Sequence, residues 1–118
     1  MGTDDAAGLG IQVAYAAGTL TVTLTGEVDL DSVAGLHQAM EEAHAPWGTR
    51  VVIDLSGVAF MDSAGIHALL TCYELAQDRG GSLSVTGAHG VVERVLHLSG
   101  TLTLFRPPPP GGTRPGLN

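Results

Sequence analysis

The chain contains no lysine. Its basic residues are five arginines, set singly at 50, 79, 94, 106 and 114 against twelve acids, for a formal charge of −7. Nucleic-acid binders concentrate positive charge on one face, because phosphate contacts supply most of their affinity. This distribution argues against DNA, RNA and anionic membranes as partners. The missing lysine also removes a Walker-type phosphate loop, and neither "LSG" nor "TGAHG" supplies a G-x-G-x-x-G. Cysteine is nearly absent: Cys72 stands alone, so no internal disulfide can form, as suits a reducing cytoplasm. No apolar run approaches the roughly 18 residues of a membrane span. The start, "MGTDDAAGLG", lacks the pattern of a signal peptide. These absences together predict a cytoplasmic protein.

What is present suits one compact domain: 118 residues, 44% of them hydrophobic, with abundant glycine. Residues 1–9 are small and acidic and predict a flexible lead; residues 10–106 carry the periodic pattern of a domain; residues 107–118 form a Pro/Gly-rich tail expected to be disordered. "IQVAYA" (11–16) and "TLTVTLT" (19–25) flank "AG", which predicts a hairpin, and in the second run Leu20, Val22 and Leu24 alternate with threonines, the period of a half-buried strand. The period then changes. Val33, Leu36, Met40 and Ala43 predict a helix over 32–45 with Asp31 or Ser32 as N-cap, stopped by Pro46 and Gly48. "RVVIDL" (50–55) predicts a central strand covered on both faces. A helix is expected from about 63 to 77 with Ile66, Leu69, Leu70, Tyr73 and Ala76 along one stripe. A strand over 82–87, a helix over 91–99 and a last short strand, "TLTLF" (101–105), complete the order β-β-α-β-α-β-α-β. That order indicates an α/β fold, an open mixed sheet with helices packed on it.

Three chemistries compete for the serine in "VVIDLSGVAFMDSAGIHALL". Ser63 stands at a strand-loop-helix junction, as a hydrolase nucleophile does, with His67 one turn on. The nucleophile elbow needs G-x-S-x-G, however, and here methionine replaces the first glycine in "MDSAG". A histidine four residues along the same helix is also badly placed as a base. The alternative is that Ser63 is acted upon. With Asp62 as N-cap, Ser63 falls in the first helical turn, where free N–H groups and the helix dipole favour an anion. A phosphate there would add roughly −1.5 to −2 charge without unfolding the domain. The third possibility is an ordinary helix-start serine, and spacing alone does not separate it from the second. Elsewhere, "HQAMEEAH" sets His37, Glu41 and His44 at i, i+4 and i+7. These are competent metal ligands, but H-E-x-x-H is absent and nothing completes the shell, so a solvated helix face is favoured. No catalytic residue, metal or cofactor is therefore expected.

The long motif "VVIDLSGVAFMDSAGIHALL", with "LTGEVDLDS" before it and "VVERVLHLSGTLTLF" after it, resembles the STAS domain family, and within it the bacterial anti-sigma factor antagonists. The likeness spans roughly residues 11–105. It implies four or five strands with the helices on one face. It also implies a transcription-regulating, partner-switching protein that binds an anti-sigma factor, usually a serine kinase of the GHKL ATPase type, and so releases a sigma factor. The kinase would phosphorylate Ser63, ending binding, and a PPM-type serine phosphatase would restore it. By the same resemblance Asp62 shapes the acceptor turn, Gly65 allows a partner close approach, and Glu27 and Asp29 belong to the neighbouring docking surface. Ala64 stands where many members have a second serine, and His67 where many have glycine. Simple exposure of His67 is favoured over pairing with phosphate. The alternative within the family is a STAS scaffold, or a partner of transport or signalling proteins, without a sigma switch.

Overall fold

The computed structural model describes residues 4–6 and 8–105. Five strands and four helices follow in the order β1 (Asp4–Ala6), β2 (Leu9–Ala16), β3 (Thr19–Val28), α1 (Val33–Glu42), β4 (Arg50–Met61), α2 (Ser63–Asp78), β5 (Ser82–Thr86), α3 (Gly90–Leu98) and α4 (Leu102–Phe105). The strands form one sheet in sequence order, antiparallel through β1, β2 and β3, then parallel through β3, β4 and β5. The expected mixed sheet is present. The two-residue turn between β2 and β3 places Ala17 at φ 53° and Gly18 at φ 82°. Two consecutive left-handed residues match the right-handed twist of the flanking strands, so the register Ala16↔Thr19 follows from "AG".

Alternation along the strands decides which face is buried. Leu20, Val22 and Leu24 of β3, Val51, Ile53 and Leu55 of β4, and Leu83 and Val85 of β5 pack with Leu36, Leu69, Cys72, Val92 and Leu96 of the helices into one core. The register pairs Thr21 with Val52 and Thr23 with Asp54 on the other face, where these four side chains are only half-buried. The expectation that β4 is covered on both faces is thus corrected: its buried residues alternate, as they must when helices occupy one side. β4 also runs on to Met61, beyond Leu55, through residues whose pattern predicts a loop. Register shifts between Thr23 and Thr25 and between Gly26 and Glu27 absorb the extra residues, as β-bulges do.

Both ends of the domain depart from the sequence pattern. Asp4–Ala6 of the expected loose lead pair with β2, and Leu9 is fully buried as the first residue of that strand. At the other end "TLTLF" is a helical turn and not a strand. Its alternation of Thr and Leu has the period of a strand, but the residues with somewhere to go are Thr101 and Phe105, four apart, and both are buried. Phe105 N–H donates to Thr101 O at 3.1 Å, and the Phe105 ring meets Tyr73 of α2 edge-on at 5.9 Å. The observed order therefore ends in a helix after α3. The residues of the Pro/Gly-rich tail lie outside the described ones.

Helix α2 rotates slightly from its expected stripe. Gly65, Ala68, Leu69, Cys72 and Ala76 are its buried residues, while Ile66, Leu70 and Tyr73 are half-buried. Small residues face the sheet, which lets the helix lie close to it. Burial holds the Cys72 thiol protonated, pushing its pKa up to about 11. Among the described residues no helix is long and apolar enough to cross a membrane.

Candidate functional site

The site is built where the parallel strands β3 and β4 end. The chain leaves β4 at Met61, and Asp62 N–H donates to Val28 O at 3.2 Å, tying the exit of one strand to the end of its neighbour. Asp62 then turns outward in extended conformation, and its Oδ1 accepts from the Gly65 N–H at 3.1 Å. This is the side-chain N-cap expected of it, satisfying one of the N–H groups that a helix start leaves open. Ser63 follows as the first helical residue. Its side chain is exposed, and its hydroxyl has no hydrogen-bond partner among the described residues.

Gly65 corrects one expectation and explains itself. It is buried, so the close approach it permits is to its own chain and not to a partner. A Cβ added there would sit 2.7 Å from Val28 O and 2.7 Å from Met61 Cγ. The first turn of α2 is thus pressed onto the ends of β3 and β4, which fixes the direction in which Ser63 projects. Ala64 is half-buried beside it, and His67 is exposed one turn along. No hydrogen bond joins Ser63 to His67 among the described residues; the His67 carbonyl accepts from the Thr71 hydroxyl at 3.1 Å. A nucleophile would need that missing contact with a base.

The acidic loop after β3 is held by a serine that sequence reasoning assigned elsewhere. Ser32 occupies the N-cap position of α1, yet its hydroxyl makes no cap bond and points back into the loop. There it donates to Glu27 O at 3.0 Å and accepts from Asp29 N–H at 3.0 Å, and Ser32 is buried. Asp29 closes the turn by accepting from Asp31 N–H at 3.1 Å. Glu27 is left exposed and Asp29 half-buried. Because Val28 pairs with Met61, this loop springs from the same strand ends that launch α2.

Two apolar side chains that the sequence did not single out belong to this end. Phe60 stands opposite Glu27 in the β3–β4 register and is 43% exposed; Leu30, in the acidic loop, is 73% exposed. An apolar residue inside "EVDLDS" that no helix stripe claims was the available signal for Leu30. Phe60 was hidden because the pattern of residues 56–62 predicts a loop. The serine of "DLS" serves the fold, since Asp54 Oδ1 accepts from both N–H and Oγ of Ser56, at 2.9 and 2.8 Å. His89 Nε2 lies 2.9 Å from Ser56 O, linking this turn to the start of α3.

A mixed sheet with helices on one face is the architecture that comparison with known proteins matches. The chain belongs to the STAS domain family: the model described as "Mlab, STAS domain" matches residues 11–105. Among curated proteins it is 32% identical over 98 residues to an anti-sigma F factor antagonist of Paenibacillus polymyxa, covering 82% of this chain and 84% of that one. It is 33% identical over 96 residues to the anti-sigma-F factor antagonist RsfB of Mycobacterium tuberculosis, covering 81% and 78%. Among solved structures, an anti-sigma factor antagonist from Mycobacterium paratuberculosis superposes with a TM-score of 0.72 at 31% identity, covering 85% of this chain and 86% of that one.

Proposed function

We propose that this protein is a cytoplasmic anti-sigma factor antagonist whose partner is an anti-sigma factor with serine-kinase activity of the GHKL type, and that phosphorylation of Ser63 switches the interaction off. The observation that carries the proposal is the state of Ser63: exposed, without a hydrogen-bond partner among the described residues, and set on a capped helix start. Such a hydroxyl can enter a kinase cleft without breaking anything inside the domain. The helix dipole then favours the dianion where it is formed.

The neighbours supply the other half of the switch. Unphosphorylated, this end of the sheet carries Leu30 and Phe60 as exposed apolar anchors, together with the acids Glu27, Asp29 and Asp62. Interfaces draw most of their affinity from such desolvated apolar contacts, with charge setting partner choice. A phosphoserine added at this end brings about two further negative charges and a hydration shell to the place the partner must cover, so binding is lost while the fold stays. A PPM-type phosphatase restores the competent form.

Incubation with the cognate kinase and ATP should add a single phosphate by intact mass, absent in Ser63→Ala. Ser63→Asp should remain folded by circular dichroism and bind the anti-sigma factor at least about tenfold more weakly, the scale of one misplaced charge at an interface. Wild-type affinity in Ser63→Asp would reject the switch.

A further inference from the structure

The triad singled out in "HQAMEEAH" has a setting that the Ser63 site does not use. His37, Glu41 and His44 all line a cavity of about 550 Å³ between α1 and α2, at the end of the sheet where β3 and β4 begin. The walls are apolar: Leu20 and Val51 from the sheet, Met40 from α1, and Cys72, Leu75 and Ala76 from α2. The volume falls within the range of small-molecule sites. Among the described residues no group of three or more histidines, cysteines or acids is arranged to hold a metal ion.

The rim shows what the cavity would accept. Arg79 lines it, and its guanidinium donates to Ala45 O at 3.1 Å while no carboxylate pairs with it among the described residues. Both helices end at this pole, where free carbonyls would repel an anion, but those nearest are already engaged. Ala76 O accepts from Gly81 N–H at 2.9 Å, Gln77 O from Gly80 N–H at 3.0 Å, Arg79 O from Gly48 N–H at 2.8 Å, and Glu41 O from His44 N–H at 3.2 Å. The rim hydroxyl of Thr71 is likewise committed, donating to His67 O, and that of Thr49 donates to Pro46 O at 2.7 Å. What remains is the rest of the Arg79 guanidinium, beyond the N–H given to Ala45 O, and two imidazoles, against the single carboxylate of Glu41.

We propose that this cavity is a binding site for a small amphiphilic carboxylate: an aliphatic chain of medium length that enters between α1 and α2, with its carboxylate at the mouth on Arg79 and with His37 and His44 beside it. The apolar walls take the chain out of water, and the guanidinium fork matches a carboxylate in two hydrogen bonds. Glu41 opposes the anion, so the head group lies on the Arg79 side of the opening. The site is at the far end of α2 from Ser63, and it stands or falls independently of the phosphorylation reading.

The test uses sodium decanoate and, as an uncharged analogue, decanol, titrated into methyl-labelled full-length protein and followed by NMR. Decanoate should move the methyl signals of Leu20, Met40, Val51 and Leu75 with a dissociation constant on the order of 0.1 mM, as expected for a ligand of about a dozen heavy atoms. Arg79→Gln, a change at an exposed residue, should weaken decanoate about tenfold and decanol by less than about threefold. Ala76→Leu, which intrudes on the chain's path, should weaken both. The proposal is overturned if decanoate moves none of these methyls at about 10 mM. It is equally overturned if the shifts map to the open face of the sheet, or if Arg79→Gln binds decanoate as wild type does.

Discussion

The two ends of helix α2 are made on opposite plans. At its start Gly65 is wedged against Val28 and Met61 with no room for a methyl group, and every nearby backbone turn is locked by a side chain: Asp62 on Gly65, Ser32 on Glu27 and Asp29. Along its second half, from Cys72 onwards, the same helix stands off from α1 and leaves a hollow lined by Met40, Cys72 and Ala76. The tight end displays its chemistry outward, as an exposed hydroxyl on a rigid mount. The hollow end keeps its chemistry inward, as apolar walls beneath a basic rim. A modification can therefore be made at the first without disturbing the core, whereas whatever enters the second must touch it.

The sharpest way to break this contrast is to add a methyl group at the tight end. Gly65→Ala should cost about 3 kcal/mol, measured by urea denaturation, because the new carbon meets a backbone oxygen that cannot move aside. A loss below about 1 kcal/mol would mean that the helix start is not pinned as described. At the hollow end the corresponding probe is pH. The folded thiol of Cys72 keeps its proton up to about pH 11, above the value an unfolded chain would have. Stability should thus be full below about pH 9 and fall by roughly 2 kcal/mol as pH rises towards 11, since the unfolded state gains by ionising first. Cys72→Ala should lack this component of the pH dependence, and an identical slope in the variant would refute it.

Smaller effects refine the picture. Asp62→Ala removes the cap of α2 and should cost about 1 kcal/mol in thermal unfolding. Gly35, inside α1, provides the counter-case to Gly65: an added Cβ would meet only Ile11 Cδ1 at 3.8 Å, an ordinary contact. Gly35→Ala should therefore stabilise the domain by about 0.5 to 1 kcal/mol, and destabilisation would contradict the space seen there. Smallest of all should be Ser63→Asp, within about 0.5 kcal/mol of wild type in stability, because the side chain reaches into solvent at a helix N-terminus. Its consequence belongs to binding, where it is expected to be large.

Much of this was legible in the residues. The alternation of Leu20, Val22 and Leu24 with threonine gave a one-sided strand, "AG" gave the hairpin, and Asp62 before an apolar helix gave the cap and the position of Ser63. These are local matters, decided by backbone sterics and by hydrogen bonds over three or four residues. The alternation in "TLTLF" pointed to a strand and the apolar run "RVVIDL" to two buried faces, and in both the local pattern was overruled by packing. The answer lay in where Tyr73 offered a surface to Phe105 and in which side of the sheet the helices took.

By itself, then, the sequence determined most of the element types, the register of the hairpin and the serine that begins α2, because each follows from interactions within a few residues. Only the tertiary structure decided that Gly65 is pressed against its own chain, that Ser32 braces the acidic loop instead of capping α1, and that the solvated face of His37, Glu41 and His44 also borders a cavity. Each of those depends on distances between segments far apart in the chain, set by how closely α2 can lie against β3, β4 and α1.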